Sequence, residues 1–344
     1  MTVNRNNRIH KRSKQPILHQ ESSRSNPHVP VRTILFFLLL SLFVPHQAAC
    51  SLFPGDEFPG HNALTVSASG LAKRKTIESI MQPQAPGTAT ATNSDGSIVL
   101  DYSNCADGYI MIRDSHDATT QIQITGPDGV TYPFPLKSHE YTAFPLSRGN
   151  GRYEVSVLEQ ISGNNYAVGL SEGFNVTLKN EYGPFLYPNQ YIQYTDSSNA
   201  VVLGRKLSAK SDSDLSYINN VYNYIISHVK YDDAQAASIQ PNYIPDADAT
   251  LRSGKGICFD YAALMTAMLR SQNIPTRLEV GYVGKVYHAW ISVYLKDKGW
   301  INNTIYFDGK NWTLMDPTLA ANNSNAAIRK FTGDGSNYVT RYLY

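Results

Sequence analysis

The chain has 344 residues with 30 Lys and Arg against 28 Asp and Glu, 42% hydrophobic and 17% charged residues, a balance that excludes a wholly disordered polymer. Residues 1–33 hold seven of the basic groups and one acidic residue, Glu21. The remainder therefore carries 23 basic against 27 acidic side chains, and nucleic acid, which selects a basic face, is not an expected partner. Three cysteines exclude a disulfide scaffold, and the length sets an expectation of about two domains behind a leader.

The basic segment runs into Thr33–Val44, about a dozen apolar residues, too short to cross a bilayer, which needs about 20. It reads as the hydrophobic region of a secretory signal within a leader over residues 1–50. The basic region ahead of it is long, so either translation starts after Met1 or the leader is atypical. Gln47-Ala-Ala-Cys50 resembles the bacterial lipoprotein cleavage box, with Gln47 where a Leu is expected. Two outcomes stay open: lipidation of Cys50, which would tether the protein to a membrane, or cleavage near Ala49, which would leave Cys50 an incidental thiol. Both imply export, to the cell surface or the medium. Residues 51–95, rich in Pro, Gly, Ala, Ser and Thr, are expected to form a disordered linker.

From residue 97 to 183 short β-branched and aromatic runs recur between turn signals: Ile98–Leu100, Tyr109–Arg113, Gln121–Ile124, Tyr141–Phe144, Arg152–Leu158, Tyr166–Val168 and Phe174–Leu178. Gly126-Pro-Asp-Gly129 and Arg148-Gly-Asn-Gly151 separate them. This pattern predicts an antiparallel β-sandwich, without a catalytic constellation of its own. Cys105, its one cysteine, reads as a buried or harmless thiol.

The period changes in residues 189–344. Ser211-Asp-Ser-Asp214 supplies caps for a helix over about 214–230, with Leu215, Ile218, Val221, Tyr222, Ile225 and Val229 at helical spacing. Ser253-Gly-Lys-Gly256 then leads into Ile257–Arg270, where Tyr261, Leu264, Met265, Met268 and Leu269 form one stripe, so Cys258 falls in the first turn of a core helix. Extended stretches follow at Thr276–Tyr282, His288–Leu295 and Trp312–Pro317, with a hairpin near Asp308-Gly309 between the last two. Helix first and sheet second make an α+β layout, the Cys-bearing helix packed on an antiparallel sheet.

Unpaired amides at a helix N-terminus favour negative charge, and so favour a thiolate over a thiol. A nucleophile placed there needs a base held by a third group. His288 opens a strand 30 residues on, and Asp316 closes another 28 residues further. The glycines before Cys258 leave little bulk in the way of an incoming carbonyl, and the Cys258 amide is placed to donate to an oxyanion. Taken singly, each residue has a plainer explanation: a helical cysteine packs, an Asp-Pro turns the chain, a His satisfies a polar site. His228, the rival base, sits at a helix C-terminus, where packing and the helix dipole account for it. The joint order Cys, His, Asp at element boundaries is what favours catalysis.

Gly256-Ile-Cys258-Phe-Asp-Tyr-Ala-Ala-Leu-Met, Arg270 followed by Asn273-Ile-Pro-Thr-Arg277, Gly281-Tyr282, His288-Ala-Trp290 and Met315-Asp-Pro-Thr318 together resemble the core of the transglutaminase-like superfamily, over roughly residues 212–320. The resemblance implies a papain-like fold with Cys258 as nucleophile, His288 as base and Asp316 as its orienting partner. An insert from about Lys296 to Lys310 departs from the short turn of many relatives. A strand-rich exported domain ahead of such a core also resembles surface proteins of Gram-positive anaerobes.

The expected activity is attack of Cys258 on a peptide or glutamine-type amide to form a thioester. Water resolving it makes a peptidase or amidase, the favoured outcome; an amine makes a cross-linking transglutaminase. The substrate expected is a protein or peptide. No cofactor and no metal are implied, since no HExxH, Walker A or Gly-x-Gly-x-x-Gly pattern occurs. A surface binding module with an inert core is the alternative. The aromatic alternation Tyr338–Tyr344 reads as a terminal strand or a carbohydrate or peptide contact surface.

Overall fold

The computed structural model describes residues 74–137, 139–296, 299–301, 305–307, 312–314, 318, 321 and 337–344. The leader with Cys50, the first part of the expected linker and Asp316 lie outside them.

The N-terminal half is built from β1 (Thr90–Thr92), β2 (Ile98–Asp101), β3 (Tyr109–Asp114), β4 (Thr120–Thr125), β5 (Thr131–Leu136), β6 (Thr142–Pro145), β7 (Gly151–Ser162) and β8 (Asn165–Val176). They form two four-stranded sheets, ordered β1-β2-β3-β6 and β5-β4-β7-β8, with antiparallel pairing throughout. Alternation explains the sandwich, because Ile98 and Leu100, Ile110 and Ile112, Ile122 and Ile124, and Tyr153, Val155 and Val157 all fall in its core. The runs expected at Tyr166–Val168 and near Phe174 merge into the single strand β8. β5 has no counterpart among the expected runs, because Pro133 and Pro135 disguise it. As an edge strand it tolerates both prolines. They share one phase of the pleat, and the Pro135 carbonyl points outward to accept from the Gln190 side chain.

The linker expected over residues 51–95 is corrected for its described part. Thr90–Thr92 pair with Val99–Asp101, and residues 74–82 are held by groups of the second half. Arg74 ion-pairs with Asp214, donates to Ser208 Oγ at 3.1 Å and lies 4.6 Å over the Tyr217 ring. The Ile77 backbone exchanges two 3.0 Å hydrogen bonds with the Gln272 side chain. Composition suggested solvation, but these backbone groups have partners more than a hundred residues away.

The second half comprises α1 (Asn199–Ser208), α2 (Asp214–His228), β9 (Lys230–Tyr231), α3 (Asp233–Ser238), α4 (Ala247–Ser253), β10 (Lys255–Gly256), α5 (Cys258–Arg270), β11 (Thr276–Val283), β12 (Val286–Leu295), β13 (Gly299–Ile301), β14 (Ile305–Phe307), β15 (Trp312–Leu314) and β16 (Tyr338–Leu343). Ser213 caps α2 by accepting from the Ser216 amide. The sheet runs β13-β12-β11-β16, all antiparallel, while β14 pairs with β15. α5 packs against β11 and β12 with every residue from Phe259 to Arg270 buried.

The expected division into 97–183 and 189–344 marks a change of architecture inside one continuous core. Tyr132 and Phe134 of β5 meet Tyr344 at 5.9 and 5.5 Å, and the Leu343 amide donates to the Tyr132 hydroxyl at 3.2 Å. Tyr191 bridges Phe134 at 5.6 Å and Phe259 at 5.2 Å. The fully buried Arg270 donates to the carbonyls of Tyr187, Thr276 and Tyr344, which joins the junction, the sheet and α5. Desolvation lowers its pKa to about 10.

Candidate active site

Cys258 is the first residue of α5 and half-buried. Its approach is fixed by β10, which pairs in parallel with β9. Gly254 closes α4 at φ +63°, a conformation that favours glycine. Gly256 answers a different constraint, since a Cβ there would come within 2.7 Å of Asp260 Cβ. Its missing side chain makes room for Asp260, a role distinct from the clearance for substrate expected of these glycines.

Asp260, at the third helical position, turns its carboxylate back to accept from the Ile257 amide at 2.9 Å. It also accepts from Gln235 Nε2 at 3.0 Å and the Tyr243 hydroxyl at 2.6 Å, and is 1% exposed. Burial pushes its carboxyl above the usual range, with these three donors opposing. The Cys258 amide donates to no group among the described residues.

The N-terminus of α5 meets the beginning of β12. The Tyr287 phenol is raised above its ordinary range chiefly by burial, with smaller contributions from Tyr342, Tyr282 and Cys258 and with Arg341 opposing, which sets Tyr287 within electrostatic reach of the thiol. His288 follows as the third residue of β12, 3% exposed and opposite Gly281. A Cβ at Gly281 would strike the Val339 carbonyl at 2.0 Å, so β16 crosses His288's neighbour where only glycine fits. The pleat turns Tyr287, Ala289, Ile291 and Val293 to one face and His288, Trp290 and Ser292 to the other. The first face joins the core shared with α5. On the second, the His288 and Trp290 rings lie 6.3 Å apart, and Trp290 meets Tyr338 edge-on at 5.0 Å. Glu279 on the neighbouring strand accepts from Ser292 and Thr340.

Cys258 thus opens α5, and His288 lies on β12, the strand that packs on this helix, with its side chain on the sheet face opposite the α5 core; Asp316 lies outside the described residues. His228 is exposed at the end of α2, stacked 3.9 Å from Tyr224 with its Nδ1 2.8 Å from the Tyr224 carbonyl. Asp260 and Tyr287 were not singled out by sequence. An acid at the third helical position behind a non-polar cap was the readable signal for the first. Tyr287 carried no such signal.

Away from this corner, Asp114, His116 and Glu159 place ligand atoms within 4.8 Å of one another in the sandwich. Their groups already satisfy each other: Thr120 donates to Asp114 at 2.6 Å, and His116 Nδ1 lies 2.5 Å from Glu159, which raises the imidazole's pKa. A groove of about 630 Å³ is lined by Lys137, Gln190, Tyr194, Asp246, Asp248 and Arg252. Its two carboxylates are engaged in capping α4 and α1.

Residues 202–317 match the family model described as the transglutaminase-like superfamily. Over 175 residues the chain is 25% identical to the uncharacterized protein YebA of Bacillus subtilis (strain 168). That alignment covers 45% of this chain and 23% of the relative, so the chain spans about a quarter of that protein's length. Among solved structures it is similar to one from Cytophaga hutchinsonii provisionally assigned as a cysteine protease, at 20% identity over 61% of this chain and 71% of that one, TM-score 0.32. It is also similar to red sea bream transglutaminase, at 13% identity over 61% of this chain and 48% of the other, TM-score 0.26.

Proposed function

We propose, from the transglutaminase-like domain that residues 202–317 carry, that this protein is a cysteine-nucleophile enzyme acting on peptide or glutamine-type amide bonds. The observation that carries the reading is Cys258 at the first position of a 13-residue helix, buried from Phe259 on, that packs on the strand bearing His288. In this reading the Cys258 thiolate attacks the amide carbonyl, and the oxygen that gains charge meets the Cys258 amide. His288 passes a proton to the departing amine, leaving a thioester, and Asp316 orients the imidazole. Water then attacks the thioester, His288 takes its proton, and the acid and free thiol are released. Hydrolysis is favoured because water always competes and the sequence specifies no amine site; transamidation uses the same residues.

Export is part of the proposal, supported by the basic segment and the apolar run Thr33–Val44, with lipidation at Cys50 as the form that would hold the protein at the cell surface. The deciding experiment incubates the purified protein with a glutamine-bearing protein and a labelled primary amine. Release of peptide or ammonia without label supports hydrolysis. Covalent incorporation of the amine makes the protein a cross-linking enzyme, and absence of both products with an unreactive Cys258 returns it to a binding module.

A further inference from the structure

We infer that Asp260 is the positioning residue of this site, holding Cys258 in register with the wall formed by α3 and the segment before α4; this rests on Cys258 being the nucleophile. An acid in the first turn of a helix ordinarily faces water, where it gains from the helix dipole at no desolvation cost. Asp260 is instead almost fully buried and accepts from three different segments: the residue before Cys258, Gln235 of α3, and Tyr243 of the chain leading to α4.

Burying a carboxylate is costly, and for stability alone a well-packed apolar side chain serves as well or better. The fold also gives up a side chain at Gly256 to let Asp260 approach. Both costs fall within two residues of the thiol. What they secure is geometric. Oδ2 fixes the Ile257 amide and hence the start of α5, while Oδ1 holds the Tyr243 hydroxyl, so the nucleophile and the adjoining wall move together. Asp232 is the charged group that faces this carboxylate from the α3 side, and its repulsion adds to the burial that favours protonation.

The test compares wild type with Asp260→Ala, Asp260→Asn, Tyr243→Phe and Gln235→Ala. The rate of iodoacetamide modification of Cys258 is followed by mass spectrometry from pH 4 to 10, with Cys105 in the same chain as reference. Turnover of a peptide amide is resolved into kcat and KM, and thermal unfolding is recorded for each variant. Asp260→Ala is expected to lower kcat on the order of 10²-fold, the scale of a misplaced reacting group. KM should change far less, and the pH profile of Cys258 should move while that of Cys105 stays. Asp260→Asn keeps an acceptor for Ile257 and Gln235 and is expected to recover most of kcat. Tyr243→Phe and Gln235→Ala should move the same readouts by less, and they decide the matter if Asp260→Ala does not fold.

A Cys258 profile and kcat per folded molecule equal to wild type in the alanine variant, or in both partner variants, overturns the positioning role alone. A wild-type Cys258 that reacts no faster than Cys105 overturns the nucleophile assignment and this role with it.

Discussion

Cys105 and Cys258 open helical segments in the two halves of the molecule, and each is followed two residues on by an aspartate. The local pattern is the same and the surroundings are not. Cys105 begins a three-residue turn, too short to sum a useful dipole, and Asp107 swings out to pair with Lys179 Nζ at 3.0 and 3.1 Å. Burial pushes the Cys105 thiol above its ordinary range, with Asp107 adding to the shift. Cys258 begins a 13-residue helix whose aspartate folds inward and locks the first turn to two other segments. An inert thiol and a candidate nucleophile therefore differ in the length and burial of the helical segment that each one opens.

The contrast breaks most visibly in turnover. Cys258→Ala and His288→Ala are each expected to reduce kcat/KM on the order of 10³-fold or more, Asp316→Asn by less, and Cys105→Ala to leave it within about twofold. Loss of activity in Cys105→Ala, or in His228→Ala with His288→Ala active, would reverse the assignments. Next comes the dependence of one half on the other. A fragment beginning at Asn189 loses the cover that Tyr132 and Phe134 give to Tyr191, Tyr342 and Tyr344, and is expected to be insoluble or to lack a cooperative melt. Recovery of a soluble fragment with a reactive Cys258 would make the halves independent.

Smaller effects sharpen the same comparison. Gly256→Ala forces Asp260 out of place, and overpacking of this kind costs about 1–3 kcal/mol, measurable by denaturant titration. Burial disfavours the Cys105 thiolate, so its modification should rise only at a pH above that of an exposed thiol; Asp107→Asn, which removes the lesser cause, should bring the curve back only slightly. The same substitution breaks an exposed ion pair and should alter stability by less than about 1 kcal/mol.

The stripe Tyr261, Leu264, Met265, Met268 and Leu269 was legible because a buried helix repeats its apolar residues every three or four positions, and all five are buried in α5. The sandwich strands were legible from alternation for the same reason. β5 was not, because prolines on an edge strand look like turn residues until the partner on only one side is known. The segment from Arg74 was hidden by composition, since Arg74, Ile77 and Gln82 are fixed by partners in the second half that no local window contains. At the site, spacing placed Cys258 in the first turn of a helix and His288 near the start of a strand, and α5 and β12 are those elements. That Gly256 makes room for Asp260 was not legible, because this neighbour becomes visible only when the first turn of α5 is built.

The bond from the Leu343 amide to the Tyr132 hydroxyl joins residues 211 positions apart, and this separation matters at the birth of the chain. At a synthesis rate of about 5–20 residues per second, the aromatic face of β5 waits on the order of ten to forty seconds for β16 to emerge. During that interval Tyr132 and Phe134 have no native cover from the last strand. Ribosome-arrested chains truncated before Tyr338 are therefore expected to crosslink to a holding chaperone, and the released full-length protein is not.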